Sequence, residues 1–453
     1  MFKSAALVVI FVGTVVGIPT IPPGAEVSLT KLISSGNITA AQQAAYVYPP
    51  LFGVASYAHF FTVNSTYNSN IFFWYFPVTT ADRNAPLVLW LQGGPGTSSM
   101  LGLFTEHGPV SIDENLNPIP RNRAWNKRYN MLYIDNPVGA GFSYTSNDKG
   151  YATSMDDVGT NLYEALIQFL TLFPGLQSKP LFIVGESYAG KYIPTLGHYI
   201  HKNNPKATLK VNLTALAWGN GFTDPPRMMN YGSHLYEIGL VDEYGKMKFE
   251  LMETKILKLM AENKWSEATQ MFGDMMQGYP VQPHKSLFTN LTGLTNVYNY
   301  LHHEEAPRYW IKYVKQEQIR NALHVYGRAY NTGEEVKAHF YDEMLKSVKP
   351  WVEELLKNYR ILIYTGQLDC LISSKQVQDY IKTLRFPGMV DYKLSKRSKW
   401  MVGNMVGGYV RTGGLLTDLV VRNSGHMVPL DHPELGWDLI DRFVKNKTFS
   451  DSR

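Results

Sequence analysis

The sequence predicts an α/β fold: a mostly parallel central sheet with helices on both faces and a helical cap insertion. Three observations lead there. Short apolar runs recur along the chain, helical patterns separate them, and one long middle stretch is helical and Met-rich with few strand signals.

The runs are Ile71–Phe76, Leu87–Leu91, Met131–Ile134, Leu181–Val184, Leu213–Trp218, Ile361–Tyr364 and Leu415–Val421. A strand covered on both faces reads as a continuous apolar run, because neither side of the pleat meets water. Between the runs, Asp156–Leu172 carries Val158, Leu162, Ala165, Leu166 and Phe169 at helical spacing, and Pro174 stops it. Strands alternating with helices build a parallel sheet covered on both sides. From about Pro225 to Val348 the pattern changes, with helices expected over Tyr244–Met260 and Trp265–Met276. Strand signals return at Ile361. The expected organisation is a leader over 1–17, a first part of the core over 18–224, a mainly helical cap over 225–348, and a second part of the core over 349–453. Residues 18 to 45 carry no interpretable motif, and no internal repeat is present.

The leader reading rests on Lys3 followed by the apolar stretch Ala5–Val16, with small residues near Gly17. That pattern fits a cleaved signal peptide. A membrane anchor would need roughly 20 apolar residues, and no later segment is long enough to span. Five Asn-x-Ser/Thr sequons, at Asn37, Asn64, Asn212, Asn290 and Asn446, point the same way. The expected location is the secretory pathway, secreted or lysosomal. The single cysteine, Cys370, excludes an intrachain disulfide. It follows an apolar run and reads as a buried, inert thiol. Net charge is +5 without any basic block. The densest cluster, Lys393, Lys396, Arg397 and Lys399, reads as a solvated loop or a short basic patch, so nucleic acid is not an expected partner.

The chemistry starts at Gly185-Glu186-Ser187-Tyr188-Ala189-Gly190, between the strand Leu181–Val184 and a helix expected through Tyr192–Ile200. A serine on a sharp strand-to-helix turn is a nucleophile elbow, and small residues two before and two after it let strand and helix approach. Here those are Gly185 and Ala189. Alone, the segment also fits a plain βα turn. A serine hydroxyl needs a base, and the base an orienting carboxylate. In α/β-hydrolases the chain order is Ser, then an acid, then His. Downstream, Asp369 follows the strand Ile361–Tyr364 and a Gly turn, and His426 lies on the loop after Leu415–Val421. Gly93-Gly94-Pro95-Gly96 follows Leu87–Leu91 and suits an oxyanion hole, with donors from Gly94 and Tyr188. A phosphate cradle would need a nucleotide-loop spacing that is not there.

Four blocks then carry a resemblance. Trp90-Leu91-Gln92-Gly93-Gly94-Pro95-Gly96, Asp135-Asn136-Pro137-Val138-Gly139-Ala140-Gly141-Phe142-Ser143, Gly185 through Tyr192, and Gly425-His426-Met427-Val428-Pro429 resemble the serine carboxypeptidase family. The likeness runs from about Tyr57 to Phe443, and the middle and flanks resemble the vitellogenic-like branch. It implies an exopeptidase acting through an acyl-enzyme on peptides with a free C-terminal carboxylate, without cofactor or metal. It implies Ser187 as nucleophile, His426 as base and acid, Asp369 as its partner, and Gly94 and Tyr188 as the oxyanion hole. Trp90, Gln92, Gly93 and Glu186 would recognise the substrate carboxylate, Glu106 would pair with Glu186, and Met427 would line the site.

Two carboxyls sharing a site keep one proton to a raised pH, so peptidase activity is expected to peak at acidic pH. This chain departs from the family at Gln92, where much of the family has Asn, and at Thr97, where a disulfide cysteine is usual. With one cysteine, the disulfide-linked two-chain form is closed. Acyl transfer to a non-water acceptor remains an alternative on the same machinery, as does a non-catalytic binding or protective role. A homodimer is left open.

Overall fold

A computed structural model describes residues 27–276 and 285–450. The expected leader lies outside the described residues. Twelve strands are present: β1 Tyr57–Asn64, β2 Ser69–Phe76, β3 Leu87–Leu91, β4 Val110–Ile112, β5 Pro118–Pro120, β6 Asn130–Ile134, β7 Leu181–Glu186, β8 Leu213–Gly219, β9 Arg360–Gly366, β10 Ser398–Val402, β11 Met405–Gly413 and β12 Leu416–Val421. Ten form one sheet in the order β1-β2-β6-β3-β7-β8-β9-β12-β11-β10, and β4 pairs with β5 apart from it. The six central strands, β6 through β12 in that order, run parallel. Antiparallel pairs close both edges.

Both faces of the sheet are covered. Along β3, Leu87, Leu89 and Leu91 enter one apolar cluster while Val88 and Trp90 enter the other. Strand residues alternate between faces, so an unbroken apolar run feeds two cores at once. The helices Met155–Leu172 and Ala189–Asn203 fill the first, and Pro433–Val444 packs into the second. Ser154 and Asp157 form a reciprocal cap that starts the first of these helices. The mostly parallel sheet expected from the apolar runs is the one observed.

The outer strands β1, β10 and β11 were not among the expected strands, for physical reasons. β1 carries His59, Thr62 and Asn64, and β11 carries Gly407, Gly408 and Gly413. Glycine weakens a strand signal, yet a Cβ on Gly408 would meet the Val420 carbonyl oxygen at 2.1 Å, so close strand packing requires it. Residues without a motif become the helices Leu29–Ser34 and Ile38–Ala45, which bury Leu29, Ala41 and Ala45. Between 225 and 348 the regular elements of the described residues are helices. Two of them, Glu243–Ala261 and Trp265–Met276, bury Phe249, Ile256, Met260, Phe272 and Met275. No helix among the described residues is long and apolar enough to cross a membrane.

Candidate active site

Ser187 follows β7 and has φ 63°. A non-Gly residue there is strained, and such strain gathers where a turn must aim a side chain. The turn is held from three sides: Ser187 N–H donates to Gly219 O, and Ser187 O accepts from Phe222 and Gly190 N–H, each at 2.9 Å. A Cβ on Gly185 would lie 2.1 Å from Leu91 O, so no other residue fits. Ala189 is accommodated because the tightest approach on the helix side falls one residue later. A Cβ on Gly190 would sit 2.7 Å from Gly221 Cα.

Asp369 and His426 come together from the loops after β9 and β12. Asp369 Oδ2 lies 2.6 Å from His426 Nδ1. Asp369 is fully buried and its oxygens are held by donors: Asn220 Nδ2 at 2.8 Å to Oδ2, and the Leu371 and Ile372 amides at 2.8 and 3.2 Å to Oδ1. That donor set fixes the orientation of the carboxylate. With Nδ1–H donating to Asp369, the basic lone pair falls on Nε2, which is buried with no partner among the described residues. Burial lowers the His426 pKa, but the charges of Asp369, Glu186 and Glu305 outweigh it, and the net shift is upward. The approach of the two loops depends on glycine, since a Cβ on Gly366 would lie 2.0 Å from Gly425 O. Tyr298, from the stretch between the helices Leu287–Thr292 and Tyr309–Val314, accepts the His426 amide through its backbone oxygen at 2.7 Å and packs its ring 5.0 Å from the imidazole.

Three side chains expected at the carboxylate-binding end form a buried chain. Trp90 Nε1–H donates to Gln92 Oε1 at 3.0 Å, and Gln92 Nε2–H donates to Glu186 Oε1 at 2.6 Å. Trp90 is itself wholly buried, so it acts by fixing the Gln92 amide. Glu106, on the turn of π-helix Gly102–His107, faces Glu186. Both Glu106 oxygens and Glu186 Oε2 lack any other protein donor. Burial raises both carboxyls, and the Glu186 charge raises Glu106 further. Two buried carboxyls in one place are costly to ionise together, so protonation of the pair persists to a raised pH.

The glycine loop lies directly on the elbow. A Cβ on Gly93 would be 2.4 Å from Tyr188 N and 2.6 Å from Ser187 Cβ. Gly94, at φ 117°, lines a small cavity of about 30 Å³ with Ser187, Tyr188, Phe222 and Phe272. A wider cavity of about 640 Å³ opens on the other side, against His426 and Met427. Among the sequons, Asn37, Asn212, Asn290 and Asn446 are exposed, while Asn64 is half-buried and accepts the Thr66 and Tyr67 amides. No group of three or more metal-ligating side chains occurs among the described residues.

Sequence reasoning missed Asn220, Ser99 and Asp135. Asn220 follows β8 within Gly219-Asn220-Gly221, a pairing typical of tight turns; its φ of 43° turns the amide toward Asp369. Asp135 accepts from Ser98 Oγ, Ser99 N–H and Phe142 N–H, and Ser99 Oγ accepts the Gln92 amide at 3.1 Å. Burial pushes Asp135 up to about 7.

The chain matches the serine carboxypeptidase family over residues 48–446. It is 42% identical to the venom serine carboxypeptidase of Apis mellifera, covering 94% of this chain and 92% of that one. It is 38% identical to the vitellogenic carboxypeptidase of Aedes aegypti, over 93% and 90%. In fold it is similar to the crystal structure of Kex1(delta)p, a prohormone-processing carboxypeptidase from Saccharomyces cerevisiae. The TM-score is 0.77 at 21% identity, covering 89% of this chain and 96% of that chain.

Proposed function

The chain belongs to the serine carboxypeptidase family, and from that premise we propose that Ser187, His426 and Asp369 release C-terminal residues from peptides through an acyl-enzyme. Ser187 Oγ attacks the last peptide carbonyl carbon while its proton passes to His426 Nε2. The oxyanion is held by the Gly94 and Tyr188 N–H groups. The imidazolium then gives the proton to the amine, the C–N bond breaks, and the C-terminal amino acid leaves. Water enters, loses a proton to His426 and attacks the acyl carbon, and the serine regains its hydrogen.

The observation that carries an exopeptidase, rather than a general esterase, is the buried Glu106–Glu186 pair joined to Gln92. A fully ionised pair would repel a substrate carboxylate. A pair that retains one proton lets Glu186 donate to it, beside the Gln92 amide and the Gly93 backbone. Trp90 serves this end by orienting Gln92, and Met427 borders the leaving group. The requirement for that proton makes peptidase activity fall as pH rises through the raised Glu186 pKa. We further propose that the helical insertion over 225–348 caps the site, and that the protein works in the secretory pathway, secreted or lysosomal, with its exposed sequons glycosylated.

Wild type and Ser187→Ala, compared on a blocked peptide with a free or amidated C-terminus, test this reading. The variant should lose kcat by about four to six powers of ten, and wild type should prefer the free acid. Retained turnover in the variant would contradict the assignment.

A further inference from the structure

The cavity of about 640 Å³ beside His426 has a lining whose charge is uneven. Leu101 and Thr105 come from the segment that carries Glu106, and His426 and Met427 close the other wall. The cavity thus opens beside the imidazole, with the segment that carries Glu106 forming part of its wall. On the carboxypeptidase reading, on which this inference rests, that is where the side chain of the departing residue must go.

Its walls offer Leu301, Tyr298 and Leu430 to a long hydrocarbon stem, and its lining holds three carboxylates, Glu304, Glu305 and Asp431, against a single guanidinium, Arg308. Two of the carboxylates are committed. Glu305 pairs with Arg308 at 2.7 Å, and Asp431 Oδ2 accepts from Gly425 N–H at 2.6 Å and Asn299 Nδ2 at 3.0 Å. No cation among the described residues pairs with Glu304. A long stem with a positive end matches this lining, which offers apolar side chains together with a carboxylate that has no cation partner among the described residues.

We propose that this protein prefers a cationic C-terminal residue, lysine or arginine, over a neutral residue of the same length, with Glu304 as the residue that selects it. Glu304 is exposed, so its pull is screened by solvent and salt and the preference is modest, about fivefold.

The test compares kcat/KM for blocked dipeptides ending in arginine or in citrulline, its neutral isostere. Wild type should favour arginine about fivefold at low ionic strength, and about 0.5 M NaCl should shrink the ratio. Glu304→Gln should bring the ratio close to one, and Arg308→Gln, which frees Glu305, should raise it. Equal rates for arginine and citrulline in wild type, with both substrates cleaved, would overturn the cationic preference while the carboxypeptidase reading stands. If no peptide with a free C-terminus is cleaved, that reading falls and the preference with it.

Discussion

Glu186 titrates in contact with two other groups, and that coupling decides the pH profile. On the proposed function, its protonated form donates to a substrate carboxylate. As pH rises through its raised pKa, the donor is lost and repulsion appears, so kcat/KM for peptides falls on the alkaline side. On the acid side, activity needs a neutral His426, and its raised pKa sets where that limb begins. Glu186→Gln keeps an N–H donor and removes the charge. The alkaline fall should therefore flatten. Stopped assays from pH 4 to 9 would read both limbs, and an unchanged alkaline limb in the variant would refute the shared proton. At this scale the sequence was informative wherever a residue sat in a local pattern. Ser187, His426 and Gly94 stand in short strand-to-loop contexts that name their chemistry. Asn220 gave no such sign, because its task, holding Asp369 Oδ2, exists only once two loops distant in sequence have met.

Between elements, the link that matters runs from the elbow helix to the cap. Lys191 is fully buried in helix Ala189–Asn203, and its Nζ donates to Glu343 O at 2.7 Å, to Glu343 Oε1 at 3.2 Å and to Tyr188 Oη at 3.1 Å. Burial lowers its pKa to about 8, against the pull of Glu343. Lys191→Met would leave Glu343 buried without its nearest cation. A cost of about 3–5 kcal/mol in chemical denaturation is expected, together with a loss of kcat, since Tyr188 borders the nucleophile. A cost under about 0.5 kcal/mol, the scale of an ordinary surface change, would show that the link is not structural. Six parallel strands were readable as apolar runs because burial on both faces leaves few polar residues in them. The outer strands β1, β10 and β11 were not, since water on one side admits Thr, Lys and Gly. The wall built by Tyr298 was equally hidden, because its backbone oxygen, not its side-chain type, holds the His426 loop.

Taken whole, the molecule is held by two large apolar cores rather than by cross-links. Cys370 is buried and its thiol is pushed up, mainly by burial and then by the neighbouring Asp369 charge. A thiol reagent should leave the native protein unlabelled and titrate Cys370 only after denaturation. The Tm should not move with reductant, and rapid native labelling would contradict the packing of the Asp369 loop. The fold class and family were legible from four separated blocks; the lining beside His426 was not, because it is assembled from residues of the 296–308 stretch and of loops far from it in sequence, none of which carries a motif for that task. What most directly tests the central claim is kcat/KM for one peptide and its C-terminal amide, measured side by side across pH. The free acid should be strongly preferred near pH 5, and the preference should decay as the Glu106–Glu186 pair gives up its proton. An acid-to-amide ratio that stays constant with pH would contradict it.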